Sequence, residues 1–147
     1  MKCNTIGNIR HIGIVVKDMN LMTCFYSDNF GFTSNQMQEE SGLFVSTILG
    51  HNNIMVITHK LVDTKRQCLE LLFFPDMPQK NMSKRRLFDM GLTHISLTVS
   101  DLDTIHKKLI AQGISFVSSI QYAPNNKVKV VFCEDPEGNF LELVEEL

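Results

Sequence analysis

The sequence predicts an α+β fold built of two tandem β-α-β-β-β modules, together forming a curved, mostly antiparallel sheet around a cavity. Three observations predict it. The segment His-Ile-Gly-Ile-Val-Val-Lys-Asp at 11–18 recurs as His-Ile-Ser-Leu-Thr-Val-Ser-Asp at 94–101, 83 residues further on. Each copy runs into an amphipathic stretch that stops at a glycine, Gly31 in one half and Gly113 in the other. Each half then closes on an apolar strand that carries a single glutamate, Glu70 or Glu142. A repeated unit of this size buries its apolar faces against its copy, so residues 1–147 read as one domain: module 1 over about 7–75, a linker over about 76–89 and module 2 over about 90–147.

Taken in order, residues 9–16 alternate as a strand does, with Ile12, Ile14 and Val16 on one face and His11, Gly13 and Val15 on the other. Asp18 opens a helix whose apolar positions are Leu21, Met22, Phe25 and Phe30. Apolar runs at 43–49, 54–59 and 68–74 predict three strands, separated by the turn Gly50-His51-Asn52-Asn53 and by the charged loop 63–66. Pro75, Pro78 and the polar stretch 79–86 then interrupt the pattern and mark the linker. In the second half a strand at 92–99 places Ile95, Leu97 and Val99 opposite His94, Ser96 and Thr98. A helix over 101–112 follows, with Leu102, Ile105, Leu109 and Ile110 as its apolar stripe, and runs at 115–121, 127–133 and 139–145 predict three more strands.

Composition narrows the function classes. With 147 residues the chain buries roughly 68–70% of its unfolded surface and needs neither disulfide nor metal merely to fold. Apolar residues at 44% and charged residues at 20% exclude wholesale disorder. A net charge of −2, with only the short basic run Lys84-Arg85-Arg86, is not the footprint of a nucleic-acid binder. No apolar run approaches the ~20 residues that span a bilayer, and Met1–Thr5 lacks the apolar core of a secretion signal. Cys3, Cys24, Cys68 and Cys133 form no CxxC pair, so they read as reduced, mostly buried thiols of a cytoplasmic protein.

The chemistry lies in the repeat. In both halves a histidine opens the first strand on the face away from the aliphatic stripe, and that face, with Gly13 or with Ser96 and Thr98, is too small and polar to be a second core. It reads as a cavity wall. The closing strands, Cys68-Leu69-Glu70-Leu71-Leu72 and Phe140-Leu141-Glu142-Leu143-Val144, each set one carboxylate in apolar surroundings, where it needs a partner, hydrogen bonds or a metal. Two imidazoles and two carboxylates at matching places suit one divalent first-row metal ion: nickel, zinc, cobalt, manganese or iron. His51 in a turn and His59 at a strand end read as exposed, and His106 lies off the stripe of its helix.

These residues match a family pattern. The stretch from His94 to Asp103, the segment Phe25-Tyr26 with Phe30-Gly31-Phe32, and Asp135-Pro136-Glu137-Gly138-Asn139-Phe140-Leu141-Glu142-Leu143 resemble the vicinal oxygen chelate superfamily. That group includes glyoxalase I, methylmalonyl-CoA epimerase, fosfomycin resistance proteins, extradiol dioxygenases and bleomycin-resistance proteins. The resemblance covers essentially the whole chain, implies paired modules and often a homodimer, and places the four metal positions on His11, Glu70, His94 and Glu142.

Glyoxalase I (lactoylglutathione lyase) is most similar at the metal, because its bacterial form has the same His/Glu/His/Glu set. The resemblance therefore implies a lyase/isomerase acting through a metal-bound enediolate, with Glu142 as the base and Glu70 as the next candidate. Its substrate would be a small molecule, a thiol conjugate or an acyl-CoA, with Arg10, Lys17, Lys65 and Arg66 as basic groups at the cavity rim. An epimerase is the alternative, with Glu39 or Glu40 as its second acid; a non-catalytic or resistance protein is another.

Overall fold

The computed structural model describes residues 7–80 and 84–147. Cys3, the terminus at Met1–Thr5 and the part of the expected linker at 81–83 lie outside these described residues. The chain folds as an α+β protein of two four-stranded mixed sheets with three helices. Its elements are β1 (Ile12–Val15), α1 (Met19–Phe30), β2 (Thr33–Glu40), α2 (Leu43–Leu49), β3 (Val56–Val62), β4 (Cys68–Phe73), β5 (His94–Thr98), α3 (Leu102–Ala111), β6 (Gln121–Tyr122), β7 (Val128–Glu134) and β8 (Phe140–Glu146).

The two sheets have the same topology. In the first the strand order is β1-β4-β3-β2 and in the second β5-β8-β7-β6. In each, the opening strand pairs parallel to the closing strand and the other neighbours are antiparallel. Two compact units divide the chain. One takes the residues up to Thr23 with Gly31–Pro78, the other Cys24–Phe30 with Gln79–Leu147, so α1 is shared between them.

In the first unit the inward face of the sheet is Ile14, Leu61, Leu69 and Leu71, all buried, with Val16 and Met22. In the second unit Val131, Cys133, Leu141 and Leu143 are buried, together with Leu102 and Leu109 of α3. The last residue of the repeated octapeptide caps a helix in both copies. Asp18 Oδ1 accepts from the Leu21 amide at 2.9 Å, and Asp101 Oδ1 accepts from the Thr104 amide at 2.9 Å. Gly31 and Gly113 take φ of +70° and +80°, the left-handed turn that ends a helix and that a side chain resists.

The Asp-Pro-Glu-Gly-Asn motif is a turn organised around the buried side chain of Asp135. Asp135 Oδ1 accepts from the amides of Glu137 and Asn139, at 3.0 and 2.9 Å. Its Oδ2 accepts from Asn139 Nδ2 at 2.8 Å and from the Tyr26 hydroxyl at 2.9 Å. Burial, and then the adjacent Asp135 carboxylate, push the Tyr26 phenol well above its ordinary range, so it stays a donor. Asn29 and Gln112 exchange amide bonds at 3.1 Å each, joining the end of α1 to the end of α3 within the same unit.

Several local expectations are corrected. The run 43–49 is the helix α2, not a strand. Bracketed by Gly42 and Gly50 at positive φ, it buries only Val45, against Ile54 and Val56, and leaves Leu43, Phe44 and Ile48 exposed. A short unbroken apolar run has no period to separate helix from strand. The strand before it, β2, is Thr-Ser-Asn-Gln-Met-Gln-Glu-Glu, an edge strand mostly exposed along its length, with no apolar alternation to betray it. Module 1 is therefore β-α-β-α-β-β.

The run 115–121 reduces to the bridge between Phe116 and Cys133 and the two-residue β6. Around it the Ser118 hydroxyl and the Gln121 side-chain amide donate to the Ser119 carbonyl. Ile110 leaves the buried stripe of α3 and is 53% exposed. The thiols also differ from expectation: among the described residues Cys24 is exposed, Cys68 is half-buried and Cys133 alone is fully enclosed. Burial, then the carboxylates of Asp135 and Glu134, push the Cys133 thiol up to about 12.

Candidate metal centre

The parallel pairing of opening and closing strands brings one histidine to one glutamate in each module. In the first, Gly13 stands opposite Glu70, and His11 two residues upstream reaches across so that its Nε2 lies 3.1 Å from Glu70 Oε2. In the second, Ser96 stands opposite Glu142, and His94, again two residues upstream, places Nε2 3.7 Å from Glu142 Oε2. The register is the same in both. Glu70 is largely withdrawn from water, with 12% of its side chain exposed.

The surroundings of the two pairs differ. Across β3 and β4, Lys60 is the partner of Glu70 and its Nζ lies 3.6 Å from Glu70 Oε1. Across β7 and β8, the partner of Glu142 is Phe132, whose ring meets the His94 imidazole edge-on at 5.0 Å and 90°. The Thr93 hydroxyl donates to the Leu87 carbonyl at 3.1 Å and sits 3.2 Å from His94 Nδ1. Its one proton being spent on Leu87, it accepts from Nδ1–H, which leaves the Nε2 lone pair facing the Glu142 carboxylate. Two acceptors in that position need a proton or a cation between them.

The donor chemistry fits a divalent ion. Ligand atoms about 2.0–2.2 Å from a common ion and at right angles to each other stand ~3 Å apart, and tetrahedral ones somewhat further. The separation of 3.1 Å falls in that range and that of 3.7 Å lies just beyond its tetrahedral end. His11 with Glu70 and His94 with Glu142 are thus two half-sites with the composition and spacing of metal ligands.

Other clusters are accounted for. Among the described residues Asp101, Asp103 and Glu145 bring three carboxylates near one another. Lys129 already supplies the cation there, with Nζ 2.6 Å from Asp103 and 2.8 Å from Glu145. These hydrogen bonds, Asp103 first, hold the Lys129 ammonium above its usual range, and the Lys129 bond together with the Leu102 amide holds Glu145 below its own.

His59, expected to be exposed, is 7% exposed in the middle of β3. Its Nδ1 lies 3.0 Å from the Thr23 hydroxyl and its Nε2 2.8 Å from the Ser34 hydroxyl. Burial lowers its pKa and keeps it neutral. His51 is exposed and contacts the Asn52 carbonyl, and His106 leans on Phe116 at 4.3 Å. Lys60, Phe132 and Thr93 escape the sequence reading. The first two become visible only when the middle strands are aligned as the outer ones are.

With this geometry in hand, the comparisons are informative. The model of the glyoxalase/bleomycin resistance protein/dioxygenase superfamily matches residues 8–143. The chain belongs to this superfamily. Its members typically bind a divalent metal, act on small molecules and often form dimers. The chain is 30% identical over 143 residues to the uncharacterized protein YwkD of Bacillus subtilis, covering 96% of this chain and 98% of that one. It is 27% identical to the uncharacterized protein YaeR of Escherichia coli, with coverage of 96% and 98%.

Among solved structures, a glyoxalase family protein from Bacillus cereus superposes with a TM-score of 0.90 at 21% identity, covering 100% and 99% of the two chains. The fosfomycin resistance protein FosX from Listeria monocytogenes, crystallised with Mn(II) and sulfate, superposes at 0.65 with 14% identity and coverage of 97% and 95%. At these identities the likeness is one of fold. No helix among the described residues is long and apolar enough to cross a membrane.

Proposed function

We propose that this protein is a divalent-metal-dependent lyase/isomerase similar in chemistry to glyoxalase I (lactoylglutathione lyase). In it His11, Glu70, His94 and Glu142 together hold one ion, and Glu142 moves the proton. The observation that supports this reading is the same His–Glu pair, in the same register, in both modules. Nickel, zinc, cobalt, manganese and iron all suit two imidazoles and two carboxylates.

A bound ion of this kind supplies Lewis acidity that makes the carbon beside a substrate carbonyl acidic. The protein's own part is the proton. Glu142 takes it from that carbon onto a carboxylate oxygen and returns it to the neighbouring carbon, so no atom is gained or lost. Glu142 suits the role better than Glu70 because Glu70 is already engaged by Lys60 as well as by His11. Thr93 and Phe132 orient His94 and so fix which nitrogen is presented. The substrate is a small thiol conjugate or acyl-CoA, and the protein acts as a homodimer in the cytoplasm.

One observation favours a second, epimerase-like reading. Alternation along β2 puts Glu40 on the Glu70 side of the sheet and Glu39 on the other. Glu40 Oε1 accepts there from Gln38 Nε2 at 2.6 Å. Metal-loaded protein incubated in D₂O with hemithioacetals and with acyl-CoA epimers separates the readings. Deuterium incorporation with rearrangement to a thioester supports the lyase/isomerase, and exchange confined to acyl-CoA supports the epimerase. No exchange with any of the five metals overturns both and leaves a non-catalytic or resistance protein.

A further inference from the structure

Beside His11 the first unit carries an open pocket of about 580 Å³ walled by three cationic side chains, Arg10, Lys60 and Arg66, with the amides of Asn35 and Gln36. Among the described residues lining it there is no carboxylate. Lys60 is balanced by Glu70, 3.6 Å away behind the lining, whereas Arg10 and Arg66 meet no carboxylate among the residues that line the pocket, so in a chain of net charge −2 the concavity keeps an excess of positive charge.

Arg66 is held in place by an unusual turn. Its φ is +64°, a left-handed conformation that glycine or asparagine adopts at lower cost. The Arg66 amide donates to the Asp63 carbonyl at 3.0 Å. Asp63 Oδ1 accepts from the amides of Lys65 and Gln67, at 2.9 and 2.7 Å. That carboxylate oxygen is thus spent on the turn's own backbone. The turn sets where the Arg66 backbone stands beside the pocket; a guanidinium fork matches the paired oxygens of an oxyanion, and the neighbouring amides supply further donors.

We propose that this pocket binds an oxyanion group carried by the substrate, a carboxylate or a phosphoryl group, held by Arg10 and Arg66 with Lys60 beside them. The substrate class is therefore anionic. This rests on the metal-enzyme reading only for its adjacency to His11.

The test uses the full chain freed of metal by chelation, at constant ionic strength. Inorganic phosphate and malonate are titrated in turn, with the backbone amide and arginine Nε–Hε resonances followed by NMR. Saturable binding of at least one anion is expected, weakened about tenfold or more in Arg10→Ala and in Arg66→Gly, and unchanged in Lys107→Ala, an exposed lysine of α3 that does not line the pocket. The glycine variant suits the φ of position 66, so loss of binding there is not loss of fold. Tighter malonate marks a carboxylate-bearing substrate and tighter phosphate a phosphoryl-bearing one.

No saturation by either anion, or an equal loss in Lys107→Ala, overturns the proposal. Saturable anion binding in a protein that takes up no divalent ion leaves the pocket standing and removes the metal reading. Metal uptake without anion binding does the reverse.

Discussion

Lys60 and Phe132 hold equivalent places in the two modules: each is the cross-strand partner of a candidate ligand glutamate, Lys60 of Glu70 and Phe132 of Glu142. The duplication thus keeps the His–Glu pair and varies its neighbour. Module 1 gains a cation 3.6 Å from its carboxylate, and module 2 an aromatic edge 5.0 Å from its imidazole.

Removing Lys60 is expected to strengthen metal binding. Its charge competes with a dication for Glu70 and repels it at short range. Lys60→Met should therefore raise affinity on the order of tenfold at low salt and less at high salt. Phe132→Leu keeps the bulk but loses the edge contact with His94, and should weaken affinity by about 0.5–1.5 kcal/mol. Competitive titration against a chromophoric chelator reads both, and changes of the same sign would contradict the asymmetry.

The proton-transfer role is tested by paired isosteres. Glu142→Gln keeps a ligating oxygen and removes the basicity, so at matched metal occupancy kcat should fall by about 10²–10⁴-fold. Glu70→Gln should cost much less. A Glu142→Gln protein with wild-type kcat moves the base elsewhere, and Glu70 is then the next residue to examine.

The Tyr26 hydroxyl donates to the buried carboxyl group of Asp135, which ties α1 to the β7–β8 turn. Bonds to charged groups contribute about 1.5–3 kcal/mol. In a chain of this length Tyr26→Phe should lower Tm by roughly 4–10 °C, measured by calorimetry. An unchanged Tm would show that the three remaining donors on Asp135 suffice.

His59 is neutral in the fold because burial lowers its pKa below the ordinary 6.5. Between its folded and unfolded pKa values the unfolded chain binds the extra proton. Its contribution to stability is therefore complete above about pH 6.5 and is lost as pH falls below that. Wild type should lose more Tm than His59→Gln between pH 7.5 and 5.5. Parallel curves for the two proteins would remove His59 as a source of acid sensitivity.

The parts legible in the sequence are those that the duplication repeats: the opening strands, the capping Asp18 and Asp101, the glycines that end α1 and α3, and the His–Glu pairs. What escaped lacks either a period or a copy. α2 is an unbroken apolar run that exposes Leu43, Phe44 and Ile48, and β2 is a polar edge strand paired on one side only. The apolar run 54–59 ends at His59, whereas β3 continues to Val62 and carries the ring inward between Thr23 and Ser34. Lys60 shows no pattern of its own, and its meaning appears only in register with Glu70.

The central claim is that the two half-sites serve one ion, and metal stoichiometry tests it most directly. Elemental analysis of metal-saturated protein should give one divalent ion per chain in the wild type. His11→Ala and His94→Ala, altered in different modules, should each reduce occupancy to a small residue at the same free-metal concentration. Two ions per chain in the wild type, with one retained in each variant, or full occupancy in either variant, would contradict the account.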